Sequence, residues 1–233
     1  MALRLRYTVA TFGEKIMWRS MAKTVFATTL FGLVHSAVAS APFKRRASQL
    51  LGKRHRNGFF RLFYNLQAVL TFGALVVYIW RLPTRVLYCV RGPLRWLMHI
   101  GQMACALFAL WGMFHVGILR MAGVTSFLSW LSSRNTDQEV APEPDGQGPR
   151  QNADGSMHAE GPYKYSRHAL NFALVPIFWL VPKMTANLFA FNTVMTLYAW
   201  FGSLHEEVRL RETYGQAYED YQQSGVPFFV PRP

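Results

Sequence analysis

Three stretches of this chain carry no Lys, Arg, Asp or Glu: Thr24–Phe43, Leu62–Trp80 and Trp96–Leu119. Each is close to the roughly 20 residues that an α-helix needs to cross a ~30 Å hydrocarbon core. A backbone in lipid must satisfy its own polar groups, so such runs become helices. A fourth apolar region, Ala169–Leu204, is longer and is divided by Pro182-Lys183. Proline ends the helix before it and a lysine snorkels at a tip, which predicts a helical hairpin with limbs Ala169–Val181 and Met184–Leu204. The first limb is short for a full crossing. The expectation is an all-α integral membrane protein with about five transmembrane helices, the last two forming the hairpin, and a cytoplasmic C-terminal tail. Ser126–Ser133 is expected to add an interfacial turn.

Charge distribution sharpens this. The net charge is +13, and only one of the 12 acids, Glu14, precedes residue 121. A basic balance of this size suits nucleic acid when it is clustered on a soluble face. Here the cations border the apolar runs, so membrane lipid is the expected partner and nucleic acid is not. Ala37-Val38-Ala39-Ser40-Ala41 looks like a signal-peptide cleavage site, but seven Lys/Arg residues follow between Lys44 and Arg61. Carrying them across a membrane is unfavourable, so the first run reads as an uncleaved anchor. The same seven residues place Lys44–Arg61 in the cytoplasm. Five crossings then put the polar stretch after Ser132 and the C-terminus on that side too.

The chain divides into N-terminal transmembrane helices (1–133), a flexible polar loop (134–160) and a C-terminal hairpin with its tail (161–233). The loop is rich in Pro, Gly, Asn, Gln and acids and has little apolar material to pack. Two cysteines make no disulfide framework. The seven histidines show no metal-ligand spacing, so no metal is expected. Dinucleotide fingerprints, P-loops and nucleophile elbows are absent. His35 and His115 sit inside spans, where a polar side chain suggests either function or an interhelical hydrogen bond.

The last 73 residues carry the chemistry-bearing motifs. They open with Gly161-Pro162-Tyr163-Lys164-Tyr165-Ser166-Arg167-His168. Ser166 reads as the N-cap of a helix starting near Arg167. Arg167 and His168 then oppose the helix dipole, which suits either lipid headgroups or an anionic ligand. Glu206-Glu207 follow the last span directly. They form helical pairs with Arg209 and Arg211, or else accept hydrogen bonds from a ligand ammonium or hydroxyls. Tyr214, Tyr218, Tyr221 and Phe228-Phe229 form an aromatic tail that packs under the membrane or walls an adenine.

Taken in order, Gly161-Pro162-Tyr163, Arg167-His168, Glu206-Glu207-x-x-Leu210, Tyr214-Gly215-x-x-Tyr218-x-x-Tyr221 and Val226-Pro227-x-x-x-Pro231 resemble the isoprenylcysteine carboxyl methyltransferase superfamily of membrane enzymes. Pro182-Lys183-Met184-Thr185 and His35-Ser36 look most like the methanethiol S-methyltransferase and NnrU-like branch. Ala169 stands where the family has proline after Arg-His, and Asn171, Phe172 and Ala173 replace a common Tyr and Gly.

The resemblance implies an S-adenosylmethionine-dependent methyltransferase acting on a small or lipophilic acceptor, such as a thiol. It implies a multi-pass protein of a bacterial inner membrane with its active site facing the cytoplasm. The cofactor would lie between the hairpin and the tail, held by Gly161, Tyr163, His168, Glu206 and Glu207. Arg167 and His168 would be the catalytic pair, with Arg167 orienting ligand or acceptor and lowering a thiol pKa. The competing reading is a non-catalytic NnrU-like membrane scaffold.

Overall fold

The computed structural model describes residues 2–133, 149, 151, 154–157 and 159–232. The flexible-loop expectation for residues 134–148 lies outside them. The chain is mostly helical: α1 (Ala2–Ala39), α2 (Ala41–Leu51), α3 (Lys53–Arg81), α4 (Pro93–Val116), α5 (Ile118–Ala122), α6 (Val124–Ser132), α7 (Ala169–Trp179), α8 (Ala186–Tyr214) and α9 (Gln216–Gln223). Ser126–Ser133, expected as a turn, is mostly the helix α6. A 3-10 turn covers Gly161–Lys164.

Among the described residues, three helical segments are long and apolar enough to cross a membrane: Glu14–Ala39, Lys53–Arg81 and Pro93–Val116. They contain most of the three charge-free runs. Their apolar side chains face outward: Trp80 is 84% exposed, Val69 68% and Ile100 64%. So continuous an apolar exterior is untenable in water and marks a lipid-facing surface.

Helix breaks follow local chemistry. Ser40 ends α1, and its hydroxyl accepts from the Phe43 amide at 3.4 Å to start α2. Helix α7 is only 11 residues long and contains Pro176. It stops three residues before Pro182, since the residue before a proline avoids helical geometry. The hairpin turn is not a bare loop. Lys183–Thr185 forms a strand, β2, antiparallel to β1 (Val86–Cys89), with Val86 opposite Thr185 and Cys89 opposite Lys183. The α3–α4 connection is thereby joined to the α7–α8 turn. Thr185 caps α8, accepting from the Leu188 amide at 3.2 Å.

Helix α8 is the axis of the fold. On one side Phe191 and Met195 pack with Leu75 of α3, alongside Phe31, Phe72, Phe178 and Tyr198. Its polar residues bind neighbours rather than water. Asn192 Nδ2 donates to the Phe178 carbonyl at 2.6 Å, and Thr196 accepts from Trp179 Nε1 at 2.9 Å. Asn171 Nδ2 of α7 donates to Ser203 Oγ at 2.9 Å. Buried polar groups need such partners, and each bond fixes the pairing of α7 with α8. Helix α4 lies against α7, close enough at Gly112 that a Cβ would sit 2.8 Å from the Leu170 side chain.

Candidate functional site

Beyond its apolar stretch, α8 carries two glutamates into a polar cluster. Glu207 is 6% exposed and its carboxylate collects four donors. Arg167 Nε reaches Oε1 at 2.8 Å and Nη2 reaches Oε2 at 3.4 Å. Tyr218 Oη donates to Oε1 at 2.9 Å, and Gln222 Nε2 donates to Oε2. His168 Nε2 lies 3.1 Å from Oε1, while its Nδ1 lies 3.3 Å from Glu206 Oε2. The imidazole therefore bridges two carboxylates. Glu207 does not form the expected helical pair with Arg211; it turns toward the start of α7.

Electrostatics follow from this geometry. Burial alone would raise the Glu207 pKa. Hydrogen bonds from His168, Arg167 and Tyr218 overcome it and hold the carboxyl at about 2. Burial works to lower the His168 pKa, but the hydrogen bonds and charges of Glu206 and Glu207 outweigh it and raise it. Arg167, His168, Glu206 and Glu207 form a neutral set of two cations and two anions when His168 is protonated.

The start of α7 is tied to the C-terminal tail. Ser166 is not the N-cap: α7 begins at Ala169, and His168 occupies the cap position without a side-chain cap bond. Ser166 Oγ instead donates to the Phe229 carbonyl at 2.8 Å and accepts from the His168 amide at 3.2 Å. The Arg167 amide donates to the Pro227 carbonyl at 2.9 Å, and Arg167 Nη1 to the Val226 carbonyl at 2.8 Å. Phe228 packs edge-on against His168 at 5.0 Å and beneath the Arg167 guanidinium at 5.8 Å. Tyr221 Oη donates to the Tyr163 carbonyl at 2.8 Å, with both tyrosines buried. Met157 joins Leu210, Tyr218 and Tyr221 in one cluster. Gly161 has φ +54°, and a Cβ there would lie 2.5 Å from the His115 ring. Only glycine fits that position.

A cavity of about 630 Å³ lies between α1, α3, α7 and α8. Its lining has one order along three helices. On α1, Phe31 gives way to His35 and Ser36, and Lys44 follows on α2; on α8, Met195 gives way to Tyr198 and then Glu206 and Arg209. Helix α3 supplies Arg56 and Arg61 beside the charged end, then Tyr64, then Phe72 beside the apolar end. From Met195 to Arg209 the helical rise spans about 20 Å. The cavity thus grades from a charged end through a polar middle to an apolar end.

Of the six residues picked from the motifs, Glu206 lines this cavity; Gly161, Tyr163, Arg167, His168 and Glu207 do not. Arg167, His168 and Glu207 gather behind Glu206, with His168 the link, while Gly161 lies against His115 and Tyr163 packs with Val116 and Ala169. The interface of hairpin and tail, expected to take the cofactor, holds the Glu207 network and the packed aromatic residues. The cavity residues Tyr64, Tyr198 and Asn171 carry no motif of their own. Only the placement of a polar side chain within a span could have flagged them. Among the described residues no group of His, Cys, Asp and Glu is arranged to hold a metal ion.

No family model and no solved structure matches the chain. Curated relatives do. A methanethiol S-methyltransferase of Pseudomonas deceptionensis is 25% identical over 203 residues, covering 86% of this chain and 69% of its own length. Methanethiol S-methyltransferase 1 of Bradyrhizobium diazoefficiens is 27% identical over 208 residues, covering 87% of this chain and 64% of its own. A methanethiol S-methyltransferase of Crocosphaera subtropica is 35% identical over 69 residues, 30% of this chain and 27% of its own. The chain thus spans about two thirds of the length of the first two relatives. Over most of its length the chain is thus related to enzymes named methanethiol S-methyltransferases.

Proposed function

We propose that this chain is a multi-pass membrane methyltransferase that moves a methyl group from S-adenosylmethionine to a small thiol. The graded cavity is the observation that carries this reading. Its volume of about 630 Å³ lies within the roughly 300–1,000 Å³ of pockets that enclose drug-sized ligands. The charged end, taken as the mouth, suits the polar part of the cofactor: Glu206 accepts from its ammonium or ribose hydroxyls, and the cations Lys44, Arg56, Arg61 and Arg209 attract its carboxylate. The aromatic ring of Tyr64 suits a sulfonium cation. The apolar end suits a small uncharged acceptor, and the names of the relatives support a thiol in that role.

When bound, S-adenosylmethionine supplies an electrophilic methyl carbon on a good leaving group, so positioning dominates and no nucleophilic side chain is needed. Arg167, His168 and Glu207 work through Glu206, fixing its carboxylate at the mouth. Gly161 and Tyr163 close the loop on which that cluster rests. In this reading the α7–α8 hairpin and the three long apolar helices make five crossings of a bacterial inner membrane. The Glu206 end, beside the basic Lys44–Arg61 segment, faces the cytoplasm. The ligand site draws on both 1–133 and 161–233.

Calorimetry of S-adenosylmethionine with detergent-purified wild type and Glu206→Gln tests this. Loss of a charge-assisted hydrogen bond costs about 1.5–3 kcal/mol, so affinity should fall more than tenfold. Absence of binding by the wild type sinks the reading and favours a scaffold. Equal binding by both proteins moves the site away from Glu206.

A further inference from the structure

Helix α2 joins two helices of membrane length, α1 and α3, and buries none of its own side chains. It is set off from both. Ser40 is extended before it, with ψ 150°, and Gly52 follows it with φ +79°. A short helix that connects two crossings lies at a membrane surface, and its sequence suits that position. Phe43, Ala47, Leu50 and Leu51 recur at the spacing of one helix face and fall within an arc of about 100°. Lys44 and Arg46 flank that arc, and Arg45, Ser48 and Gln49 lie opposite it. Leu50 is 83% exposed and Leu51 61%, and Phe43 is exposed too. An apolar arc bordered by cations is the pattern of a helix lying in a lipid interface, where the apolar side enters the acyl boundary and the cations reach the phosphates.

The charge here is one-sided. Residues 41–61 hold seven Lys/Arg and no Asp or Glu. Arg45, Arg46 and Lys53 are exposed, and the ion pairs among the described residues lie elsewhere, at Glu206 and Glu207. Resting on the membrane crossings proposed above, we infer that α2 and the start of α3 form a binding site for anionic phospholipid. Arg45, Arg46 and Lys53 take the headgroup phosphate, and Phe43, Leu50 and Leu51 sit against the first carbons of the acyl chains. The preference is for a lipid of net negative charge, because residues 41–61 offer no carboxylate to a choline or ethanolamine group and three exposed cations to a phosphate. Lys44 and Arg56, from the same two helices, line the charged end of the cavity. The lipid therefore binds beside that end.

The test compares three full-length proteins: wild type, the triple variant Arg45→Gln/Arg46→Gln/Lys53→Gln, and the charge-keeping variant Arg45→Lys/Arg46→Lys/Lys53→Arg. Each is placed in nanodiscs of equal parts phosphatidylcholine and phosphatidylglycerol, and the lipid it retains on release is read by native mass spectrometry. Wild type should retain phosphatidylglycerol in excess over phosphatidylcholine. The glutamine variant should lose at least tenfold of that excess, given the attraction of each basic residue to an anionic surface, and the charge-keeping variant should retain it. In detergent, added phosphatidylglycerol should raise the wild-type Tm and inorganic phosphate should not. Lipid retained by wild type in the proportion supplied overturns the inference, as does an equal excess in wild type and the glutamine variant. Loss of the excess in the charge-keeping variant overturns it by making the role of these residues structural. An equal Tm rise with inorganic phosphate reassigns the site to a free anion, and a dimer without lipid enrichment reassigns the face to a second copy of the chain; either overturns it. Wild type that leaves membranes in a carbonate wash without detergent overturns the crossings, and this inference with them.

Discussion

Replacing Glu207 with alanine removes an acceptor shared by Arg167, His168, Tyr218 and Gln222. Arg167 keeps the Val226 carbonyl and His168 keeps Glu206, so two donors lose part of their satisfaction and two lose the bond that holds them here. The cost follows from two directions. Breaking a buried ion pair by removing one partner costs about 3–5 kcal/mol. A carboxyl held at about 2 instead of its ordinary 4.5 corresponds to about 3 kcal/mol of interaction. Both point to a loss near 3 kcal/mol, or roughly 6–12 °C in Tm for a domain of this size. The assay is thermal unfolding of detergent-purified protein followed by tryptophan fluorescence at neutral pH. A shift under roughly 2 °C, as for a surface substitution, would refute the view of Glu207 as the hub. Comparison with Glu207→Gln adds the sign. A depressed carboxyl contributes fully above its ordinary value and loses that contribution as the pH falls toward about 2. The stability gap between wild type and Glu207→Gln should therefore narrow on acidification through that window.

The raised pKa of His168 has the opposite sign, so its contribution is complete below the ordinary value of 6.5 and is lost as the pH rises through the folded value; the Tm gap between wild type and His168→Gln should shrink on going alkaline. Gly161→Ala should destabilise by about 2 kcal/mol or more, from the positive φ and the His115 ring, and His115→Ala should recover part of that Tm loss. Tyr221→Phe removes one buried hydrogen bond to Tyr163 and should cost about 1 kcal/mol on a denaturant or thermal scale. Cysteines introduced at Ser48 and Ser224 should label with an impermeant maleimide from the same side of the membrane; labelling from opposite sides would break the five-crossing arrangement.

Length and apolarity alone revealed the three long helices, because a charge-free run of about 20 residues leaves the backbone little choice. The strand pair was not legible. Val86–Cys89 and Lys183–Thr185 are far apart in sequence, and neither shows the alternation of a half-buried strand. The motif residues were visible as a set, but their connections were not. Glu207 following a span looks like an exposed helical ion pair, and only the fold brings Arg167 and Tyr218 to it. Ser166 was recognisable as a local hydroxyl acceptor, yet its main partner, Phe229, lies 63 residues away. Aromatic spacing in the tail pointed to packing, which is what Tyr218 and Tyr221 do. The cavity was least legible, since its wall takes one face from each of several helices and no linear pattern records which faces meet.

Pairing β1 with β2 has a consequence for motion. The pair lies at the start of α8, 20 residues before Glu206, or about 30 Å along the helix axis. It stitches two connections into one unit, reinforced where the Ala186 amide meets the Arg85 carbonyl at 2.9 Å and Asn187 Nδ2 the Pro83 carbonyl at 3.2 Å. Relative motion of α3, α4, α7 and α8 is therefore most restricted at this end of the bundle, where main-chain hydrogen bonds join their connections.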